Sequence, residues 1–147
     1  MQFRLITNLD AKMKFKRVEH VAIAVKNMKK LQDIFENKLG LELEYEEELP
    51  RYNTKLAMYP IGETYLEILQ SDSSASETSQ WIEENGEGLF HICLEVDDID
   101  TALSELKQKG VKLIDERPRI GHGGARIAFI NPESTGNILI ELAEIQS

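Results

Sequence analysis

The chain has 147 residues, which corresponds to one domain of ordinary size. Its 41% hydrophobic and 29% charged residues are typical of a folded globular protein, and they exclude a disordered or collagen-like chain. The 26 acidic residues outnumber the 17 basic ones and give a formal net charge of −9. Because nucleic-acid binding depends on basic side chains that neutralise phosphates, we expect no nucleic-acid partner.

Cysteine content and hydropathy indicate the cellular location expected for the protein. The single cysteine, Cys93, excludes an intramolecular disulfide and a CxxC metal site. No apolar run approaches the length of about 18 residues that a membrane span requires, and no secretory signal is recognisable at the N-terminus. We therefore expect a cytoplasmic protein without a membrane partner.

The first half of the chain predicts one helix among four strands. Asn27 is a candidate N-cap and Gly40 a candidate helix end. The predicted elements are a strand over 17–25, a helix over about 28–39, and strands near 41–47, 54–60 and 63–70.

The second half repeats this order after a polar connector that begins at Ser71. A short helix around Trp81, ending near Gly86, is expected within the connector. The predicted elements that follow are a strand over 89–96, a helix over about 99–109, and strands near 111–116, 125–131 and 137–144.

The two halves are similar in sequence as well as in pattern. The segment HVAIAV, starting at His20, matches HICLEV, starting at His91, 71 residues later. The late segments YLEIL around Glu67 and LIELA around Glu141 also match. We predict an N-terminal extension (1–15) and a single domain (16–147) made of a first module (about 16–70), a linker (71–87) and a second module (about 88–147).

Each half offers one histidine in its first strand and one glutamate in its last strand. Alternation puts His20 on the face opposite Val21, and a lone carboxylate amid apolar residues is costly unless it is paired or binds a metal. A single histidine is more often structural, and a late glutamate could face solvent. Their repetition favours a metal site in which His20, Glu67, His91 and Glu141 converge about a pseudo-two-fold axis. Two imidazoles and two carboxylates suit one divalent ion: Co²⁺, Ni²⁺, Zn²⁺ or Mn²⁺.

These residues carry a resemblance to the vicinal-oxygen-chelate superfamily, which includes glyoxalases, bleomycin-resistance proteins and dioxygenases. The segments HVAIAV and HICLEVDDI resemble the superfamily as a whole, and the tail PRIGHGGARIAFINPESTGNILIEL resembles the methylmalonyl-CoA epimerases within it. The resemblance covers about residues 16–145. It implies an α+β fold of two tandem βαβββ modules that form a curved mixed sheet around the metal, and it implies a homodimer.

The same resemblance implies the site and the reaction. It assigns the metal ligands to His20, Glu67, His91 and Glu141, and a divalent-metal-dependent methylmalonyl-CoA epimerase that inverts C2 through an enolate. We expect Glu67 and Glu141 to be catalytic as well, with at least one of them acting as general base. Some epimerases carry a further glutamate in the third strand, where this chain has none, so Lys55 is another candidate for the second base.

Three other functions remain open on the sequence alone. A lactoylglutathione lyase (glyoxalase I) would use the same four ligands on a glutathione-adduct substrate. A non-catalytic, ligand-sequestering resistance protein typically lacks the metal residues. An iron-dependent dioxygenase generally uses two histidines and one glutamate as ligands, so the additional Glu67 disfavours this function.

Overall fold

The computed structural model describes residues 13–146, which contain eight β-strands and three α-helices. The strands are β1 (Phe15–Val25), β2 (Tyr45–Leu49), β3 (Thr54–Ile61), β4 (Thr64–Ser71), β5 (Gly88–Val96), β6 (Arg119–Ile120), β7 (Arg126–Ile130) and β8 (Ile140–Glu144). The helices are α1 (Met28–Asp33), α2 (Glu77–Asn85) and α3 (Ile99–Gln108). No helix in 13–146 is long and apolar enough to cross a membrane.

The chain divides into two compact units, one of which is Val18–Cys93. Its strands lie in the order β2-β3-β4-β1-β5, with β1 parallel to β4 and with β2, β3 and β4 antiparallel. Residues directly opposite each other on paired strands point to the same side of a sheet. Tyr45, Met58, Glu67 and Ala22 therefore form one row on one side, which we call the Glu67 face.

Helix α1 covers the other side of these strands. Phe35 contacts Tyr59 edge-to-face at 5.2 Å between ring centroids, and Ile68 of β4 is fully buried in the same cluster. The Glu67 face has its own apolar cluster around Ala22, Leu56, Met58 and Leu69. Each side of the sheet thus carries an apolar cluster, and Glu67 stands between Met58 and Ala22 of the second cluster.

The predicted helix over 28–39 is not a single α-helix. Helix α1 ends at Asp33 and continues as a π-helical turn (Ile34–Lys38). Tyr59 explains part of this arrangement, because its ring packs on Phe35 and its hydroxyl donates to Glu36. Both predicted caps are confirmed: Asn27 accepts from the Lys30 backbone N–H, and Gly40 follows the turn with φ +74°.

The second unit contains the residues from Leu94 onward and those before Val18. Strands β8, β7 and β6 are adjacent and antiparallel in that order. Helix α3 packs its buried side on Ala128, Ile130 and Leu142, which form the core of this unit. Glu95, nearly buried on β5, is paired with Arg17 at 2.6 Å and with Lys16 at 3.6 Å.

Two strands of the second half differ from the prediction. Residues 111–116 form only an isolated bridge between Leu113 and Ile130, because the Asp115 carboxylate accepts the Phe129 N–H that a regular ladder would use. The last strand begins at Ile140 rather than 137, because Asn137 has φ +69°, which is incompatible with an extended strand.

The other predicted elements are recovered in order, including a connector helix at Trp81, although β2 begins at Tyr45 rather than near 41 and the short β6 was not predicted. The boundaries of the two compact units fall inside β1, after Arg17, and inside β5, after Cys93. Most of the predicted N-terminal extension lies outside the described residues, and of the remainder Met13 packs on the core of the second unit while Phe15 begins β1.

Candidate metal centre

Three of the four predicted ligands come together inside the unit Val18–Cys93. His20 on β1, Glu67 on β4 and His91 on β5 are 1%, 2% and 7% exposed. The two Nε2 atoms of His20 and His91 are 3.2 Å apart, and the His20 Nε2 is 3.3 Å from Glu67 Oε1. One donor atom from each residue lies within 4.8 Å of the other two.

Strand register explains why residues far apart in sequence meet here. His20 and Ala22 are two positions apart on β1 and therefore point to the same side. Ala22 lies directly opposite Glu67 on the parallel neighbour β4, so the carboxylate and the imidazole share the Glu67 face. The small Ala22, fully buried, fills little of the space between them.

The geometry fits a shared divalent ion. Ligands bound at about 2.1 Å around one ion lie roughly 3.0–3.4 Å from each other, from tetrahedral and octahedral angles. The separations of 3.2 and 3.3 Å from His20 Nε2 agree with that spacing. A buried carboxylate also needs a compensating charge, and imidazole and carboxylate donors together suit Zn²⁺, Co²⁺, Ni²⁺ or Mn²⁺.

Glu19 orients the first of these ligands. Its carboxylate, 4% exposed, accepts a hydrogen bond from Nδ1–H of His20. An imidazole that donates through Nδ1 presents its Nε2 lone pair, which is the atom directed at Glu67 and His91. Such a carboxylate partner is the usual support for a metal-ligating histidine. Glu19 was not predicted from the sequence, although an acid beside His20 in a buried strand is a signal of this pairing.

Cys93 forms a second possible group with Glu19 and His20. The thiol is fully buried on β5. Because the Glu19 carboxylate already accepts from Nδ1 of His20, the group built on Nε2, with Glu67 and His91, is the better candidate for an ion.

Glu141, the fourth predicted ligand, lies on β8 in the second unit. It is 4% exposed and stands opposite Phe129 of β7. Its neighbour Leu142 packs into the core under α3, so Glu141 points away from that core. Glu67 likewise points away from the side that α1 covers, because its neighbour Ile68 packs under that helix. The role of Glu141 as a ligand remains a prediction.

The candidate base Lys55 is on the wrong side of the sheet. It stands opposite Gln70, whereas its neighbour Leu56 stands opposite Leu69, two positions from Glu67. Because alternate residues of a strand point to opposite sides, Lys55 is directed away from the Glu67 face. Lys55 therefore does not serve as the second base.

Tyr45 is a further residue of this face that the sequence analysis missed. It lies in the row of Met58 and Glu67, and its ring centroid is 6.5 Å from that of Tyr65. Burial raises the pKa of the Tyr45 phenol to about 12, with further contributions from the negative charges of Glu19, Glu47 and Glu67. The phenol therefore remains a protonated hydrogen-bond donor at neutral pH.

The chain is similar in sequence to several known proteins. Residues 19–129 match the model of the glyoxalase/bleomycin resistance protein/dioxygenase superfamily. The chain is 32% identical to the mitochondrial methylmalonyl-CoA epimerase of Bos taurus over 129 residues, which are 87% of this chain and 74% of the relative. It is 34% identical to the uncharacterized protein YqjC of Bacillus subtilis over 128 residues, 87% and 91% of the two chains.

Solved structures agree with these relatives. A hypothetical protein from Bacillus halodurans has a TM-score of 0.87 at 33% identity, covering 92% of this chain and 96% of that chain. A Streptomyces coelicolor methylmalonyl-CoA epimerase variant in complex with 2-nitronate-propionyl-CoA has a TM-score of 0.86 at 27% identity, covering 91% and 97%. These matches confirm the predicted α+β fold class with its mixed sheet.

Proposed function

Because the chain belongs to the glyoxalase/bleomycin resistance protein/dioxygenase superfamily, we propose that it is a divalent-metal-dependent methylmalonyl-CoA epimerase. The superfamily predicted from the sequence is thereby confirmed. The observation that carries the proposal is the buried group of His20, Glu67 and His91, found in a chain that matches epimerases over most of its length.

The ligand set of the proposed ion comprises His20, Glu67 and His91, with Glu141 as the fourth member. The first three are supported by their geometry. Glu141 is supported by the sequence repeat, in which it corresponds to Glu67, and by the superfamily resemblance. When bound, a divalent ion supplies Lewis-acid stabilisation of the negative charge that develops on the substrate oxygens.

The protein side chains then perform the proton transfer. The C2 proton of methylmalonyl-CoA lies between a thioester and a carboxylate, so its removal leaves an enolate. A glutamate carboxylate, Glu67 or Glu141, takes that proton as general base. Tyr45, held protonated on the same face as Glu67, is placed to donate a hydrogen bond to an anionic substrate.

A lactoylglutathione lyase is the second candidate. The chain is 30% identical over 118 residues to the lactoylglutathione lyase of Neisseria meningitidis, 78% of this chain and 81% of that relative. The epimerase is preferred because several epimerases match a larger part of the chain, among them the ethylmalonyl-CoA/methylmalonyl-CoA epimerase of Cereibacter sphaeroides at 88%. The homodimer and the cytoplasmic location remain predictions.

The test compares both substrates on one metal-loaded preparation. Single enantiomers of methylmalonyl-CoA are followed by chiral analysis, and the methylglyoxal–glutathione hemithioacetal is followed by thioester formation. We expect inversion of methylmalonyl-CoA in both directions and little lactoylglutathione. Efficient thioester formation without inversion would favour the lyase over the epimerase. Absence of both reactions would contradict both candidate functions.

A further inference from the structure

The edge strand β2 carries three consecutive glutamates that do not have the same surroundings. Strand β2 is the outermost strand of the order β2-β3-β4-β1-β5. Glu46 and Glu48 are exposed, whereas Glu47 between them is half-buried, as are Tyr45 and Leu49. This alternation shows that one side of β2 lies against the protein and that Glu47 belongs to that side.

Strand register places Glu47 on the Glu67 face. Glu47 stands opposite Leu56 of β3, and Leu56 stands opposite Leu69 of β4, two positions from Glu67. Directly opposite residues share a side, so Glu47 and Glu67 point to the same side of the sheet. Glu48, by contrast, stands opposite Lys55 and points away.

Few other groups on this face can move a proton. The inward positions of β3 are occupied by Thr54, Leu56 and Met58, and the inward positions of β4 beside Glu67 by Tyr65 and Leu69. Within β2, β3 and β4, Glu47 and Glu67 are therefore the two carboxylates of this face. Glu44, just before β2, is exposed, and its carboxylate accepts a hydrogen bond from the Tyr65 hydroxyl.

The spacing of the two carboxylates leaves room for a substrate. Two strand spacings across the sheet and two residues along it separate the Cα atoms of Glu47 and Glu67 by about 12 Å in a flat sheet. Two glutamate side chains directed over the same face reduce that gap to about the size of a small acyl group. Tyr45 lies near both carboxylates, because the negative charges of Glu47 and Glu67 both contribute to raising the pKa of its phenol.

We propose that Glu47 is the second proton-transfer residue of the epimerisation, acting on the side of C2 opposite to the metal-ligand carboxylate. The inference rests on the proposed function. In one direction the metal-ligand glutamate takes the C2 proton, and the electron pair of the broken C–H bond remains in the enolate. The protonated Glu47 then donates its proton to the opposite side of C2, where the new C–H bond forms. In the reverse direction the two residues exchange roles, and each re-equilibrates its proton with solvent.

The experiment measures inversion and C2 deuterium incorporation separately for each enantiomer in D₂O, using Co²⁺-loaded protein. For Glu47→Gln we expect inversion to fall about 10²–10⁴-fold. One enantiomer should still exchange its C2 proton at a rate near that of the wild type, because the other base is intact. The second enantiomer should lose exchange together with inversion.

Glu48→Gln is the matched control, since it removes a neighbouring exposed carboxylate on the other side of β2. It should keep wild-type inversion and exchange, and both variants should keep one Co²⁺ per chain. Wild-type inversion in Glu47→Gln, or an equal loss of exchange with both enantiomers, would overturn the role of Glu47 while the wild-type activity upholds the epimerase. Absence of inversion in the wild-type protein would overturn the proposed function and the role of Glu47 together.

Discussion

The Nε2 atoms of His20 and His91 lie 3.2 Å apart, although 71 residues separate them in the chain. Each belongs to the first strand of one of two similar sequence segments, so the contact joins equivalent positions of an internal repeat. Their rings form a T-shaped contact with an interplanar angle of 67° and 5.3 Å between centroids, and Glu67 stands beside them. This is the arrangement expected of two imidazoles directed at one ion.

Replacing one imidazole should remove the metal. In His91→Ala the group keeps only two of its three donors, so we expect Co²⁺ or Zn²⁺ binding to weaken at least 100-fold and metal to be lost on dialysis. The measurement is metal content per chain together with a titration. His122→Ala is the matched control and should keep full metal content, because His122 belongs to neither candidate metal group of the described residues. Equal binding by the two variants would place the ion elsewhere.

Glu19 should affect the affinity without being a ligand. Glu19→Gln leaves an oxygen that can accept from Nδ1–H of His20 but removes the negative charge that makes the imidazole a better donor. Loss of such a partner typically costs 10–100-fold in metal affinity or activity, and we expect about 10-fold weaker binding. Isothermal titration with Zn²⁺ measures this, with the exposed Glu42→Gln as control. Unchanged affinity in Glu19→Gln would contradict the orienting role.

Cys93 should not bind the ion. Cys93→Ala should retain the metal, and the Co²⁺-loaded wild type should lack the near-ultraviolet charge-transfer band of a thiolate ligand. The reason is that Glu19 occupies the Nδ1 side of His20, leaving Nε2 for the group with Glu67 and His91. A thiolate band that disappears in Cys93→Ala would instead favour the group of Glu19, His20 and Cys93.

Tyr59 should influence stability at alkaline pH. Burial and the hydrogen bond to Glu36 raise the pKa of its phenol above the usual value near 10. The folded protein holds this proton more tightly than the unfolded chain, so the stabilisation is complete below about pH 10 and declines as the pH rises further. Tyr59→Phe should unfold more easily at neutral pH by about 1.5–3 kcal/mol, the usual contribution of a hydrogen bond to a charged group.

Denaturant titrations of both proteins from pH 7 to 11 measure this effect. The alkaline decline should be shallower in Tyr59→Phe, because the variant lacks the phenol. Tyr52→Phe, which alters a tyrosine in the short 3-10 turn between β2 and β3, serves as the control. An identical alkaline decline in Tyr59→Phe and the wild type would show that Tyr59 does not titrate late.

The sequence was sufficient for much of the fold because its signals are local. Asn27 and Gly40 bound the first helical segment, and apolar alternation around His20 and His91 marks the strands that carry them. The irregular parts depend on tertiary contacts instead. The π-helical turn involves Tyr59, more than 20 residues away. The missing strand over 111–116 depends on the hydrogen bond that the Phe129 N–H donates to the Asp115 carboxylate.

The site shows the same division. Residue type and repetition identified His20, Glu67 and His91, since chemically costly residues recur at equivalent positions of the repeat. Glu19, Tyr45 and Glu47 were not identified, because their significance comes from strand register and from which side of the sheet they occupy. Lys55 failed for the same reason: it is near the site in sequence, but it points to the other side of the sheet.

The most direct measurement is deuterium incorporation at C2 of methylmalonyl-CoA in D₂O, with metal-stripped protein and with the same protein reloaded with Co²⁺. A metal-dependent epimerase built on His20, Glu67 and His91 should exchange the C2 proton rapidly only after reloading, and inversion should accompany the exchange. Exchange that is equally fast in the stripped protein would contradict metal dependence. No exchange by protein that demonstrably holds one Co²⁺ per chain would contradict the epimerase.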